Sequence, residues 1–163
     1  MNRTKRLILP GLPGGIRTPE TAAWLVGLAT IVWCIVLDQG TKLWAGANAG
    51  RVAVLHNPGY ALGVIGGSAP VLVLGTILIL GVFALVVVPL AFHFGLPAWI
   101  PGLVLGGALS NMIDRARFGG VRDFITTRWA IINVADLLVV AGVLIIPALL
   151  LTRSWREYQQ RTA

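Results

Sequence analysis

Four stretches of this chain, residues 21–37, 70–92, 96–113 and 134–152, are almost free of charge and approach the length of a bilayer crossing. A helix needs about 20 predominantly apolar residues to cover the hydrocarbon core, and the shorter stretches borrow length from their flanking turns. Within lipid every backbone N–H and C=O must find a partner inside the chain, and none of the four alternates as a barrel strand does. Each therefore reads as a helix. The rest of the composition agrees: 56% of residues are hydrophobic, 12% are charged, and the mean hydropathy is +0.83, far outside the range of a soluble domain. The expected fold class is an all-α membrane protein, a four-transmembrane-helix bundle over residues 20–152 between basic tails at 1–19 and 153–163.

Basic residues set the expected orientation. Arg3, Lys5, Arg6 and Arg17 precede the first span, Arg153, Arg156 and Arg161 follow the last, and an even number of spans puts both tails on one side, the cytoplasm. Arg115, Arg117, Arg122 and Arg128 then fall in the connection on the opposite side and need another explanation. The net charge of +7 suits contacts with anionic lipid and gives no reason to invoke nucleic acid. The opening stretch is not expected to act as a cleavable signal peptide, because Pro10, Pro13 and their glycines interrupt the apolar run. Cys34 is the single cysteine, is expected to pack within the first span, and leaves no internal disulfide to form.

The connections carry short β-like signals on the extracytoplasmic side. "VAVLHN", residues 52–57, is rich in β-formers and ends in the turn signal "NPG", and a second such element is expected within residues 121–132. Residues 93–99, "HFGLPAW", read as a short cytoplasmic turn without Lys or Arg.

The polar inventory is concentrated. All four aspartates, Asp38, Asp114, Asp123 and Asp136, sit at span ends or in connections on one side, and Asn57, Asn111 and Asn133 fall in the same layer. Ionisable groups at membrane depth are costly and are retained facing a bundle interior or a wet cavity. One polar chamber near the outer interface is the economical arrangement. In "NMIDR", Asn111, Asp114 and Arg115 are spaced to share a helical face, which would give Arg115 acidic company, and in "NVAD" Asn133 and Asp136 are three apart.

Each pattern also has a local explanation. Asn133 with Asp136 fits a capping box at a helix N-terminus, where the dipole favours an anion. "NMIDR" by itself fits a structural ion pair, "DQGTK" fits an interfacial helix end anchored by Lys42, and "NPG" alone is a turn.

Their order carries more weight than any one of them. "DQGTKLW" (38–44), "NPGYALG" (57–63), "GALSNMIDR" (107–115), "GGVRDFI" (119–125) and "INVADLL" (132–138), set among four apolar spans, closely resemble signal peptidase II, the lipoprotein signal peptidase family of membrane aspartic proteases. The resemblance covers about residues 22–152. It implies an endopeptidase of the bacterial inner membrane that removes signal peptides from prolipoproteins, cutting before a diacylglyceryl-modified cysteine at the outer face. It implies Asp123 and Asp136 as the catalytic pair, with Asp38, Asn57, Asn111, Asp114, Arg115 and Asn133 as supporting or substrate-binding residues. The implied partners are the modified prolipoprotein and membrane lipids, and the chain is expected to act as a monomer. Tyr60, Leu62 and Ile132 depart from the family's usual residues, and the connection from Asp123 to Asp136 is short for it.

The chemistry needs no metal or other cofactor, and none is expected. Two carboxylates sharing one proton can hydrolyse a peptide bond, one activating water and the other protonating the carbonyl oxygen and later the leaving amine. Like charges in a partly dry site do not both ionise readily, so Asp136, at a helix N-terminus, is expected to be the anion and Asp123 to hold the proton. His56 and His93 are expected on opposite sides and Cys34 lies inside a span, which leaves no Cys–His pair or zinc site. Two rival readings are a proton-coupled transporter, which would place its polar groups nearer mid-bilayer, and an inactive scaffold, which would have little reason to keep both aspartates.

Overall fold

A computed structural model describes residues 21–59 and 68–162 of the chain. The expected tail at 1–19 and the departures at Tyr60 and Leu62 lie outside the described residues. The order of elements is α1 (Thr21–Ala47), β1 (Leu55–Asn57), α2 (Ala69–Val82), a π-helical turn (Phe83–Val87), α3 (Val88–His93), α4 (Trp99–Phe118), β2 (Val121–Asp123), β3 (Ile125–Thr126), β4 (Ile131–Ile132) and α5 (Val134–Thr162). The π-helical turn and α3 continue α2 without a break, so Ala69 to His93 forms one rod with Pro89 just inside its last segment.

Among the described residues, three helices are long and apolar enough to cross a membrane: Thr21–Ala47, Pro70–His93 and Val134–Thr152. Their outward faces carry Leu25, Leu74, Leu85 and Leu144, all exposed, as lipid-facing side chains are. The third apolar stretch of the sequence, at 96–113, lies largely in α4, a helix of 20 residues, but Asn111, Asp114, Arg115 and Arg117 make its last turns polar. Its role differs from the others. It is the inner helix, packed against α1, α2 and α5, and it buries ten of its residues, including Ser110, Asn111, Asp114 and Arg115.

Glycine lets α4 occupy that position. A Cβ on Gly106 would stand 2.7 Å from Cys34 Cβ and 3.0 Å from the Ile31 backbone of α1, while one on Gly107 would stand 2.6 Å from the Ala135 carbonyl oxygen of α5. Adjacent residues of a helix point in different directions, so this pair brings two neighbouring backbones to contact at one level. Packing through small residues is the usual way for helices to associate where lipid is as apolar as the side chains. Cys34 is fully buried against this seam, as expected. At the other end of the bundle Ala91, Leu96 and Ile100 form an apolar core with Ile145, Ile146 and Leu149 of α5.

The helices extend beyond the apolar stretches that announced them. α1 runs past Leu37 to Ala47, so "DQGTK" lies inside the helix and is not its interfacial end. Lys42 is 1% exposed and does not anchor the chain at an interface; the polar groups on α4 satisfy it inside the bundle. α5 likewise continues past Thr152 to Thr162.

Two small antiparallel strand pairs close the polar end. β1 pairs with β2, aligning Leu55 with Asp123, His56 with Arg122 and Asn57 with Val121, and β3 pairs with β4 as a hairpin. The segment expected as one element thus divides, with its first strand given to the other connection. "GG" at 119–120 makes the division possible. Gly119 ends α4 in the left-handed region at φ 76°, its N–H donating to the Arg115 carbonyl at 3.0 Å. A Cβ on Gly120 would stand 2.8 Å from the Asn57 carbonyl oxygen, a backbone atom of β1, so a larger residue there would push β2 away from β1.

Gly107→Ala tests the seam. Alanine is favoured over glycine in a helix by about 1 kcal/mol, whereas forcing a methyl into a closed backbone contact costs about 1–3 kcal/mol. The expected net effect is a lower thermal unfolding temperature in detergent, and an unchanged or raised value would mean that α4 and α5 do not meet at this residue.

Candidate active site

The polar end is built in two layers. The deeper one centres on the ammonium of Lys42, which contacts Asp38 Oδ2 at 2.7 Å and Asp114 Oδ2 at 3.2 Å and donates to Asn111 Oδ1 at 2.9 Å. Asp38 and Asp114 are fully buried. Asp38 Oδ2 also accepts from the Ser110 hydroxyl at 2.7 Å, and its Oδ1 accepts the Ala135 N–H at 2.8 Å, which ties α1 to the first turn of α5. Asp114 takes a second cation: Arg122 Nη2 donates to Oδ1 at 2.7 Å, and Arg122 Nε and backbone N–H donate to Oδ2 at 3.2 and 3.0 Å. Gln39 bridges the remaining groups, donating to Asp114 Oδ1 at 3.0 Å and Ser110 Oγ at 2.9 Å and accepting from Arg122 Nη2 at 2.9 Å. Two carboxylates and two cations are thereby balanced by one another, the condition under which buried charges persist.

The outer layer holds Asp123 and Asp136. Asp123 closes β2 and is 1% exposed; Asn57 Nδ2 donates to its Oδ2 at 3.0 Å and Asn133 Nδ2 to its Oδ1 at 2.6 Å. The β1–β2 register sets Asn57 diagonally across from Asp123, within side-chain reach. The Asn57 Oδ1 meanwhile accepts the Gly59 N–H at 3.0 Å, so "NPG" is both a turn and a ligand to the carboxylate. Asp136 sits in the first turn of α5. Its Oδ1 accepts from Asn111 Nδ2 at 2.8 Å, its Oδ2 from the Asn133 N–H at 3.2 Å, and its own N–H donates to Asn133 Oδ1 at 2.9 Å. That reciprocal pair is the capping box expected of "NVAD". The cap and the site are one structure, because the same Asn133 gives its amide to Asp123.

Asp123 and Asp136 line one cavity of about 450 Å³ together with Asn57, Gly59, Asn111 and Arg115. A second cavity of about 240 Å³ shares Asn111, Arg115 and Asp136 and continues between Thr76, Ile79, Leu80 and Val139, along α2 and α5. Arg115 Nη2 donates to the Gly59 carbonyl at 2.9 Å, which fixes the "NPG" turn over the first cavity. Burial pushes the Asp123 carboxyl above the usual range, with the nearby Asp136 adding to it, against the opposing pull of the Asn57 and Asn133 amides.

All eight residues singled out in the sequence therefore gather at this end. Asn57, Asn111, Arg115, Asp123 and Asp136 line the cavity, Asn133 joins the two carboxylates, and Asp38 and Asp114 stand behind them. The acid paired with an arginine is Asp114, and its arginine is Arg122 of β2; the spacing of "NMIDR" had pointed to Arg115. Gln39, Lys42, Ser110 and Arg122 complete the network without having been singled out for it. An Asp and a Lys four apart within an apolar helix was the available signal for Lys42, since neither charge could be left alone there. Among the described residues, no group of three or more His, Cys, Asp or Glu is placed to hold a metal ion.

Lys42→Met tests the hierarchy of the layers. Removing one partner of a buried charge pair typically costs about 3–5 kcal/mol, and here two carboxylates lose their shared cation. Thermal unfolding in detergent is expected to move down strongly, with much of the loss recovered when Asp38→Asn is added. Equal stability of Lys42→Met and the unaltered chain would remove Lys42 from the centre of the network.

The chain is similar to several known proteins. The chain is 40% identical over 103 residues to the lipoprotein signal peptidase of Moorella thermoacetica, covering 59% of this chain and 65% of that one, so it spans just under two thirds of that relative's length. It is 33% identical to the lipoprotein signal peptidase of Rhodopseudomonas palustris over 72% of this chain and 87% of the relative. The Methylorubrum extorquens lipoprotein signal peptidase is 32% identical, with 74% and 82% covered. Among solved structures, a bacterial membrane enzyme determined by the in meso method at 2.3 Å superposes with a TM-score of 0.68 at 26% identity, over 78% of this chain and 88% of that one. The profile of the signal peptidase (SPase) II family matches residues 30–152, and with its helices apolar enough to span a membrane the chain belongs to that family of peptidases.

Proposed function

We propose that the chain is an aspartic endopeptidase that removes the signal peptide from prolipoproteins, cleaving before a diacylglyceryl-modified cysteine. The observation that carries this reading is the pair Asp123 and Asp136, held by asparagine amides at the wall of a single cavity. Amide donors orient a carboxylate without neutralising it, so the pair can still hold and move one proton. Asp136 is the base: as the anion at a helix N-terminus it takes a proton from the attacking water. Asp123, whose burial favours the neutral acid, gives its proton to the oxygen of the scissile carbonyl. When the gem-diol adduct collapses the C–N bond breaks, Asp136 passes its proton to the leaving amine, one hydroxyl of the adduct returns its proton to Asp123 as the carbonyl re-forms, and the pair is back in its one-proton state. Arg115 and Asn111 hold the substrate backbone or the carboxylate geometry, and the narrower apolar cavity along α2 and α5 is where acyl chains of the modified cysteine would lie.

The same reading makes α4 a span as well, the third of four in chain order. It places the termini in the cytoplasm, the strand pairs and aspartates at the outer face of the inner membrane, and the enzyme as a monomer in it. Collection of all four aspartates at one end of the helices favours interfacial hydrolysis over a proton relay through mid-bilayer.

The decisive experiment is cleavage of a diacylglyceryl-modified prolipoprotein by the purified protein in detergent. Asp123→Asn and Asp136→Asn are each expected to lower the rate by about 10³-fold or more, the scale of lost general acid–base catalysis. Full activity in either variant would eliminate the dyad. The pH profile gives a separate check. An Asp123 carboxyl raised above its ordinary range stays protonated to higher pH, so the rate should fall on the alkaline side as that proton is lost and on the acid side as Asp136 is protonated. A profile flat from about pH 4 to 8 would be incompatible with a shared proton.

A further inference from the structure

The β3–β4 hairpin is the covalent link between the two aspartates: Asp123 precedes β3 and Asn133 and Asp136 follow β4. Its tip is tightly tied. Thr127 N–H and Oγ1 both donate to the Ala130 carbonyl, at 2.8 and 2.7 Å, and Thr127 Oγ1 accepts the Trp129 and Ala130 N–H groups at 3.3 and 3.0 Å. This fixed turn holds out Trp129, which at 85% exposure is the most exposed large apolar side chain among the described residues. The Arg128 guanidinium lies over its indole, 5.3 Å from the ring centre. The arginines that crowded this side of the sequence now separate into two kinds. Arg115 and Arg122 are engaged inside the fold, on the Gly59 carbonyl and Asp114, whereas Arg117 and Arg128 are exposed and stacked on the exposed rings of Phe118 and Trp129. The four aspartates of this end are all bonded within the site, so Arg128 has no acid within the described residues to answer it.

We propose that the hairpin tip is a membrane-docking foot: the Trp129 indole enters the interfacial layer of the bilayer and Arg128 binds an anionic phospholipid headgroup. The dimensions support this. Each strand of the hairpin has two residues, about 7 Å of rise, and β4 ends just before Val134, where the α5 span begins. The interfacial layer on each side of the hydrocarbon is about 5–8 Å deep, so the tip lies within reach of it. Tryptophan is enriched at that depth because its ring is apolar and its N–H polar, and arginine is drawn to anionic lipid. Docking would hold the strap between Asp123 and Asp136 at a constant height above the spans. The docking itself rests only on the membrane placement of α5, while its bearing on the aspartate pair rests on the peptidase reading.

The test is made on the full chain labelled with fluorotryptophan and reconstituted in nanodiscs, without any cleavage assay. The protein has six tryptophans, and the Trp129 resonance is identified by its loss in Trp129→Phe. Docking predicts strong broadening of that resonance by lipids carrying a paramagnetic label at headgroup level and protection from a water-soluble gadolinium chelate. In nanodiscs of phosphatidylcholine with phosphatidylglycerol, Arg128→Gln, or removal of the phosphatidylglycerol, should lower the docked-to-undocked ratio about fivefold. Broadening by the aqueous chelate with no effect of labelled lipid would overturn the proposal. So would protection that appears only when a diacylglyceryl-modified substrate peptide is added, since the tip would then be a substrate contact. A docked-to-undocked ratio that is the same with and without phosphatidylglycerol in the unaltered chain, or the same in Arg128→Gln as in the unaltered chain, would overturn the headgroup half. A chain that docks in this way yet cleaves nothing would leave the docking standing and count against the peptidase reading alone.

Discussion

The ammonium of Lys42 is the charge on which the polar end depends. It is buried and shared by Asp38, Asp114 and Asn111, and those three residues belong to α1 and α4. Asp38 extends the arrangement to α5 through the Ala135 N–H, and Asp114 extends it to β2 through Arg122. Three helices and a strand are therefore fixed relative to one another by a charge-balanced cluster. A bundle in lipid gains little from apolar side chains meeting one another, so groups that cannot face hydrocarbon at all provide much of the specificity. The glycine seam of Gly106 and Gly107 lets the helices approach closely enough for the cluster to close.

Asparagines separate this cluster from Asp123 and Asp136. Asn111 faces Lys42 with its oxygen and Asp136 with its nitrogen, so the cation determines which way the amide points. Asn133 caps α5 with its oxygen and reaches Asp123 with its nitrogen, and Asn57 turns the chain at "NPG" with its oxygen and reaches Asp123 with its nitrogen. In all three the amide oxygen is occupied by a structural donor, which leaves the NH₂ to aim at a carboxylate. A lysine or arginine in those places would hold the aspartates as fixed anions, and a protonated partner could no longer be one of the pair's states. Neutral amides fix the geometry of the two carboxylates without adding a charge beside them.

Much of this was legible in the chain, for reasons that differ residue by residue. Apolar length and the scarcity of charge announced the helices, because lipid penalises unpaired backbone wherever it lies. The confinement of four aspartates and three asparagines to one layer announced a polar chamber, and "NVAD" announced its own capping box, since i to i+3 geometry is local. Other features depended on distant chain segments. "DQGTK" taken locally suits a helix end with Lys42 in the interface; it became the buried centre only because α4 brings Asn111 and Asp114 to it. "NMIDR" pairs Arg115 with Asp114 on paper, yet β2 returns Arg122 to that acid and leaves Arg115 over the "NPG" turn. The strands of the second connection could not be divided between two pairs without knowing that β1 waits beside β2.

The sequence by itself determined the solvent of this protein, the helical answer to it, and the inventory of groups that had to be collected away from lipid. Those follow from the cost of exposing a peptide group or a charge to hydrocarbon, which acts on each segment independently of its neighbours. The tertiary structure decided which charges neutralise one another and which carboxylates meet no cation among the described residues. Asp38 and Asp114 are paired with Lys42, and Asp114 with Arg122 as well, whereas Asp123 and Asp136 meet amides and a cavity, although all four are the same side chain in similar apolar settings. That division arises from contacts between elements far apart in the chain, set by how closely glycine lets the helices pack and by the return of β2 onto β1.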